Sequence, residues 1–352
     1  MPKKAPRGSV PILCALLAAV CYGISTPISK ALLDELPALF MASMLYLGAG
    51  LGMLPLLIWG RRKLQRREAK ITRGELPYAI AMVLLDIAAP ILLMLGLHST
   101  ESATVSLLND FEVVATTLIA ALVFKEAIGK RMWLAILLIT GASVILTVDD
   151  PASLSFSPGA ILVLLACVCW GVENNCTNRL SLKDPLQIVC IKGFASGTGA
   201  LIIALAAGAY PKGPAPVLAA LALGFVAYGL SIYFYIRAQR GLGAARTSAF
   251  YALAPFVGVG LSLILLKESP APSFWVALVV MSVGTYLVVS ERHEHRHSHT
   301  EIEHEHRHEH SDEHHRHKHE PPVEGEHSHF HSHEALTHNH AHSPDLHHTH
   351  LH

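Results

Sequence analysis

The chain has 352 residues, 51% of them hydrophobic and 15% charged, with 27 Lys/Arg against 27 Asp/Glu. The zero net charge gives no basic excess for nucleic acid, so none is expected as a partner. It also hides a division: from Ser290 onward there are 13 acids and 5 Lys/Arg, whereas the body before it holds 14 acids and 22 Lys/Arg.

Once that polar tail is set aside, the body is far more apolar than a water-soluble domain. Runs of about 20 apolar residues, long enough to cross a ~30 Å hydrocarbon core as helices, recur along it. They fall at 10–29, 38–59, 76–97, 102–124, 131–148, 158–178, 185–208, 217–236, 243–266 and 272–289. Only His98-Ser99-Thr100-Glu101 separates the third from the fourth. The start, Lys3-Lys4-Ala5-Pro6-Arg7 followed by an apolar run, has the look of a signal peptide. No small-x-small cleavage site follows, and Val20 stands where a lipobox needs a small residue, so the first span is read as retained. All six cysteines (Cys14, Cys21, Cys167, Cys169, Cys176, Cys190) lie inside spans, which is no disulfide framework.

Placing the N-terminus in the cytoplasm puts 17 loop Lys/Arg inside and 3 (Lys30, Lys212, Lys267) outside, as the positive-inside rule requires. Ten spans then return the C-terminus to the cytoplasm.

The sequence also repeats itself. At an offset of 142, Ala103 matches Ala245, Ser106 matches Ser248, Lys125-Glu126 matches Lys267-Glu268, and Trp133 matches Trp275. Cys21-Tyr22-Gly23 is echoed by Cys169-Trp170-Gly171. An odd number of spans per copy makes the copies insert in opposite directions. The expected fold is an all-α membrane protein of ten transmembrane helices in two inverted five-helix repeats. The domains are an N-terminal segment (1–9), a first repeat (10–148), a second (158–289) and a tail (290–352). Such a layout suits alternating access around a midplane site.

Ala245-Arg246-Thr247-Ser248-Ala249-Phe250-Tyr251-Ala252-Leu253-Ala254-Pro255, followed by Leu266-Lys267-Glu268, resembles the penultimate helix of EamA-like ten-span members of the drug/metabolite transporter superfamily. The resemblance covers residues 10 to 290 and implies a secondary transporter of the bacterial inner membrane, commonly an exporter. Where one copy has Ala254-Pro255, the other has Asn109-Asp110-Phe111-Glu112-Val113. Glu173-Asn174-Asn175 in the sixth span is similar to a subgroup in which an acid precedes paired Asn and the C-terminus is His-rich.

An ionisable side chain at the centre of a membrane helix costs ~2.5–3.5 kcal/mol by insertion scales, so each needs a reason. Here there are Asp86, Asp110, Glu112 and Glu173 against Lys192 and Arg246. Even with both bases paired, two carboxylates remain for protons or a cation. Asp86 and Glu112 are expected to converge on the transport path, with Asn109 three residues before Glu112 on its face. The plainer alternative is that Asp110 or Glu112 is a neutral hydrogen-bonding group between helices. Glu173 needs a partner, and Lys192 at similar depth can supply it. Cys169, Glu173 and Cys176 form one stripe, beside the stripe of Asn174 and Asn178; packing suffices for the cysteines. Asn175 and Tyr251 complete the expected path. Tyr228 and Tyr251 are read as path or interfacial residues, Tyr233 and Tyr235 as interfacial.

The tail carries 23 of the 24 histidines. Its first twelve are His293, His295, His297, His299, His304, His306, His308, His310, His314, His315, His317 and His319. With few apolar side chains it is expected to be disordered. Alternating imidazoles and carboxylates offer many exchangeable sites for a divalent transition metal (Zn, Ni, Co or Cu). No cofactor is required. The favoured expectation is that the tail collects a metal in the cytoplasm that the carrier exports in exchange for protons; the alternative is a carrier exporting an organic metabolite or amino acid, with the tail as metal buffer or regulator. Partners are the bilayer, the solute and protons, with a homodimer left open. No activated nucleophile or phosphate-cradling loop appears, which argues against an enzyme or an ATP-driven pump.

Overall fold

In the computed structural model the described residues are 9–64, 72–124, 128–150, 155–180, 184–242, 247 and 250–290, with 293–298, 302–308, 327–333 and 337–342 in the tail. Arg246 and the tail histidines His299, His310, His314, His315, His317 and His319 lie outside them.

The body is helical, as runs of Leu, Ala, Ile and Val without polar alternation dictate in a solvent that cannot satisfy backbone groups. In chain order the helices are α1 (Ser9–Gly23), α2 (Ser25–Leu32), α3 (Ala38–Leu64), α4 (Leu76–Ser99), α5 (Ser102–Leu108), α6 (Phe111–Phe124) and α7 (Lys130–Thr147). After a small hairpin of β1 (Val148–Asp150) and β2 (Ser155–Phe156) come α8 (Pro158–Leu180), α9 (Pro185–Ile191), α10 (Gly197–Ala206), α11 (Pro214–Gly224), α12 (Ser231–Leu242), α13 (Ala254–Leu265) and α14 (Pro272–Val289). Among the described residues, nine helical stretches are long and apolar enough to cross a membrane. They coincide with nine of the ten expected spans. In the remaining one, expected at 243–266, the described residues are 247 and 250–266, with the 12-residue α13 as the helix of that stretch.

Several spans are interrupted, and each interruption has a local cause. The turn at Ile24 between α1 and α2 falls where Pro27 removes a backbone N–H and crowds the Gly23 carbonyl four residues back. Pro255, in the first turn of α13, acts likewise, and Ala252 and Leu253 form a turn just before that helix. Between α5 and α6, Asn109 and Asp110 favour turns over helix interiors. There the Asp110 N–H bonds the Leu107 carbonyl and the Glu112 N–H bonds that of Asn109, both at 3.1 Å and both closing a tighter loop than an α-turn. Two π-helical segments, Lys192–Ser196 and Phe225–Leu230, wind the chain more loosely beside Gly193, Gly197, Gly224 and Gly229. Such bulges widen the helix and re-aim side chains, and they concentrate at functional positions.

Helix α3 is the centre of the packing, lying against α10, α11 and both π segments. A Cβ placed on Gly48 would fall inside van der Waals distance of the Leu221 carbonyl oxygen, and one on Gly224 would meet that of Leu45. Backbone approach this close needs glycine on both sides, the usual device for holding helices together in lipid. Gly193 meets the Gly50 backbone, and Gly197 and Gly199 meet Leu47 and Ile87, so these glycines pack helices. Elsewhere α4 and α6 pack on α8, α1 on α12, α7 on α14, and α5 on α13.

In the tail, β3 (His293–Ser298) pairs with β6 (Thr337–His342), and β4 (Ile302–His308) with β5 (His327–His333), both antiparallel. The register sets His295 opposite His340 and His306 opposite His329. Alternation of His with other polar residues is compatible with the period of two in extended backbone.

Candidate functional site

The loosened turn at Lys192 delivers an ammonium into the interior, where the side chain is almost wholly buried. Its Nζ lies 2.6 Å from Glu173 Oε1 on α8 and 3.4 Å from Asp86 Oδ2 on α4. The Tyr46 hydroxyl of α3 donates to Asp86 Oδ1 at 2.6 Å, and the Thr177 hydroxyl donates to Glu173. The expected Glu173–Lys192 pair is therefore present, and Asp86 joins it to form a triad.

One residue along, α8 turns a different face to α6. Asn174 Nδ2 donates to Glu112 Oε1 at 2.7 Å and lies 3.3 Å from Thr116 Oγ1. Asn175 Nδ2 donates to the carbonyls of Gly171 (2.8 Å) and Thr116 (3.1 Å). Successive residues on a helix sit about 100° apart, so Glu173 and Asn174 lead two carboxylate clusters into one neighbourhood. Asp110 stands apart, accepting from Thr285 of α14. Asn109 is buried, and its Oδ1 has no partner. Asp86 and Glu112 are thus linked through α8, but each has its own hydrogen-bonding partners.

If Asp86, Glu112 and Glu173 are all ionised, three negative charges face the one positive charge of Lys192. A low-dielectric interior penalises that surplus heavily, so the cluster suits protons or a cationic ligand. The Cys169–Glu173–Cys176 stripe gathers no metal cage. No group of three or more His, Cys, Asp or Glu lies within ligating reach among the described residues.

Tyrosines form the other wall. Tyr22 of α1 lies 6.0 Å from Tyr228 and 5.7 Å from Tyr251 between ring centroids. Tyr46 is 5.2 Å from Tyr228, and Tyr235 is 4.9 Å from Tyr251. Tyr235, expected at the interface, thus extends the ring chain, whereas Tyr233 lies under Arg237. Sequence reasoning missed Tyr22, Tyr46, Thr116, Thr177 and Thr285. The only available signal was the Cys21-Tyr22-Gly23 echo, because neutral hydroxyls raise no alarm in an apolar helix.

Family matching over residues 9–148 and again over 157–290 returns the EamA-like transporter family both times. The chain belongs to that family. It is a multi-pass membrane transporter. Similar proteins include an uncharacterized transporter of Methanothermobacter thermautotrophicus, 27% identical over 288 residues, covering 78% of this chain and 84% of that one. An uncharacterized Bacillus subtilis transporter, YyaM, is 22% identical over 62% of this chain and 75% of its own. A solved crystal structure overlaps 80% of this chain and 96% of its own with a TM-score of 0.58 at 16% identity, a likeness of fold.

The Leu266-Lys267-Glu268 sequence that carried the EamA resemblance has a structural role. Lys267 takes a left-handed backbone (φ 54°), turning Glu268 toward α5. Its two carboxylate oxygens accept the backbone N–H groups of Ser102 and Ala103, each at 2.8 Å. From the other side, Lys30 Nζ donates to the carbonyls of Leu97 (2.7 Å), His98 (3.2 Å) and Thr100 (2.8 Å). The α4–α5 junction is thereby clamped between α2 and the end of α13. Burial pushes the nearby Glu101 carboxyl above its usual range and the Glu268 carboxylate adds to this, while Lys30 opposes it. Loss of a helix cap costs about 0.5–2 kcal/mol. Glu268→Ala should therefore speed hydrogen exchange at the Ser102 and Ala103 amides about 2- to 30-fold. Exchange unchanged from wild type in mass-spectrometric labelling would show that the clamp carries no stability.

Proposed function

We propose that this EamA-family chain is a secondary carrier that exports a small organic solute across the bacterial inner membrane, with protons handled by the buried carboxylates. The observation that carries the reading is the buried triad of Asp86, Glu173 and Lys192, beside which Glu112 is bonded to Asn174, the residue after Glu173 on α8. Supporting it, the family match occurs twice. The Asn109–Asp110 and Ala252–Leu253 turns also fall within one residue of each other at the repeat offset. Inverted repeats with both termini in the cytoplasm fit these features, and broken helices at the repeat interface are where carriers bind their cargo. The path comprises Asp86, Asn109, Glu112, Glu173, Asn174, Asn175, Lys192 and Tyr251. Asp110, tied to Thr285, belongs to a helix contact.

An organic solute is favoured over a metal because the described carboxylates are committed to Lys192, Tyr46, Asn174 and Thr285 rather than converging as ligands. A second reading has one observation on its side: the 23 histidines of the tail. In that reading the tail binds a divalent transition metal in the cytoplasm and the carrier exports it against protons. In the first reading the tail is a metal buffer or regulator. The test uses proteoliposomes with an internal pH dye and the full chain, beside a chain ending at Ser290. Proton flux driven by amino acids or amines and kept by the truncated chain supports the organic carrier. Flux driven only by zinc, nickel or cobalt and lost on truncation transfers support to the metal carrier. Absence of flux with every solute overturns the carrier reading.

A further inference from the structure

Both carrier readings give the tail a metal ion, and the register of its strands bears on how the tail would hold one. Successive residues of a strand belong to opposite faces, and directly opposed residues of an antiparallel pair share a face. In the β3–β6 ribbon the pairs on one face are His293 with His342, His295 with His340, and His297 with His338. The other face pairs Glu294 with Ala341, Arg296 with Asn339, and Ser298 with Thr337. In β4–β5 one face pairs His304 with His331, His306 with His329, His308 with His327, and Ile302 with His333. Its other face pairs Glu303 with Ser332, Glu305 with Phe330, and Arg307 with Ser328. Every histidine of these strands therefore belongs to one face of its ribbon, and the opposite face has none. A slip of one residue would set each histidine against another residue type, so the histidine pairs are a property of this register.

A two-stranded ribbon alone is marginal in water. Apart from Ile302, Phe330 and Ala341 these strands have no apolar residues, so packing cannot hold them together. A shared ligand can, and the composition decides its sign. From Ser290 onward there are 13 acids against 5 Lys/Arg, which attracts cations and repels anions. Neutral imidazole is a ligand of zinc, whose tetrahedral sites take four donors. Directly opposed residues have Cβ atoms about 4.5–5.5 Å apart, so two successive pairs on one face supply four imidazoles to one ion. Among the described residues no three such groups already stand within ligating reach. The ion must draw them together, and its binding free energy then becomes folding free energy of the ribbon.

Resting on the reading, shared by both carriers, that the tail binds a divalent transition metal, we infer that each ribbon is a clip closed by one ion bridging two opposed histidine pairs. His295 and His340 belong to the bridging set in the outer ribbon, and His306 and His329 in the inner one. The bonds are coordination through imidazole lone pairs, with no redox or covalent step. Metal thereby decides how much of the tail is paired. The two ribbons are nested in sequence, β4–β5 lying between β3 and β6. Closing the inner ribbon shortens the loop that the outer one must close, whereas the inner ribbon gains nothing of the kind from the outer.

The test is hydrogen exchange read by mass spectrometry on the full chain in lipid nanodiscs, purified without an added histidine tag, with zinc as the probe and with chelator. Zinc should slow amide exchange in β3, β4, β5 and β6 about tenfold or more. The decisive variant removes the histidines of β6 only: His338→Gln, His340→Gln and His342→Gln. β3 keeps all of its own histidines, yet its slowing by zinc should fall to within about threefold of the metal-free rate, while β4 and β5 keep theirs. Removing those of β5 (His327→Gln, His329→Gln, His331→Gln and His333→Gln) should abolish the effect in β4 and weaken it in β3 as well. Slowing in β3 that survives the loss of the β6 histidines would mean that each strand chelates locally, and it overturns the clip. Zinc that binds without slowing exchange overturns it too, and both outcomes leave metal binding by the tail standing. If no zinc binds, clip and metal-binding tail fall together, while the carrier itself is judged separately by flux in proteoliposomes.

Discussion

Lys192→Met is expected to be the most damaging single substitution in the body. The lysine is the one positive charge touching both Asp86 and Glu173, at 3.4 Å and 2.6 Å, and all three side chains are buried. Removing one member of a buried ion pair costs about 3–5 kcal/mol, because the charge left behind has neither partner nor water. Here two carboxylates are abandoned at once, and the Tyr46 and Thr177 hydroxyls can satisfy only one oxygen of each. The variant should lose most folded yield and unfold at clearly lower temperature in detergent. The triple change Lys192→Met, Glu173→Gln, Asp86→Asn should recover much of the stability while leaving transport dead, since neutral amides bond to one another without a counter-ion. The contrast separates architecture from function. A Lys192→Met protein as stable as wild type would mean that water or another cation compensates the carboxylates, and the triad would lose its structural importance.

How much of this was readable beforehand depends on which physical quantity the sequence encodes directly. Hydropathy records transfer into hydrocarbon, so nine helical stretches fell on expected spans; at 243–266 the described residues are 247 and 250–266, with α13 starting beside Pro255. Hydropathy does not record continuity, so the turns at Ile24 and Asn109–Asp110 and the two π segments were invisible to it. Glu173 and Lys192 could be paired in advance because opposite charges at equal depth seldom ignore each other in lipid. That Asp86 would complete the triad required knowing that the π segment aims Lys192 between α4 and α8. The neutral partners of the acids, Tyr46, Asn174, Thr177 and Thr285, come from three different helices, α3, α8 and α14. Nothing in a linear sequence says which neutral polar residue faces which carboxylate.

The glycine seam supplies the second large expected effect, and it carries its own control. In Gly224→Ala or Gly48→Ala the new methyl meets a backbone carbonyl of the facing helix, Leu45 or Leu221, which cannot rotate away as a side chain would. Overpacking of this kind costs about 1–3 kcal/mol, and more where backbone must move. The same substitution at Gly260 or Gly141 meets nothing within 4 Å. At those helical positions alanine should gain about 1 kcal/mol instead, through its higher helix propensity. Identical chemistry should thus shift the thermal midpoint in opposite directions at the two sets of sites. The seam also joins α3 to α10, α11 and both π segments, including the turn that bears Lys192 and the one that bears Tyr228. If one half rocks against the other during transport, it slides along this backbone contact, and an added methyl would jam it. Gly48→Ala should then lower turnover beyond what its loss of stability explains, measured at a temperature where the variant remains folded. Equal stability of Gly224→Ala and Gly260→Ala would show that the seam yields freely, and a rigid sliding surface there would be ruled out.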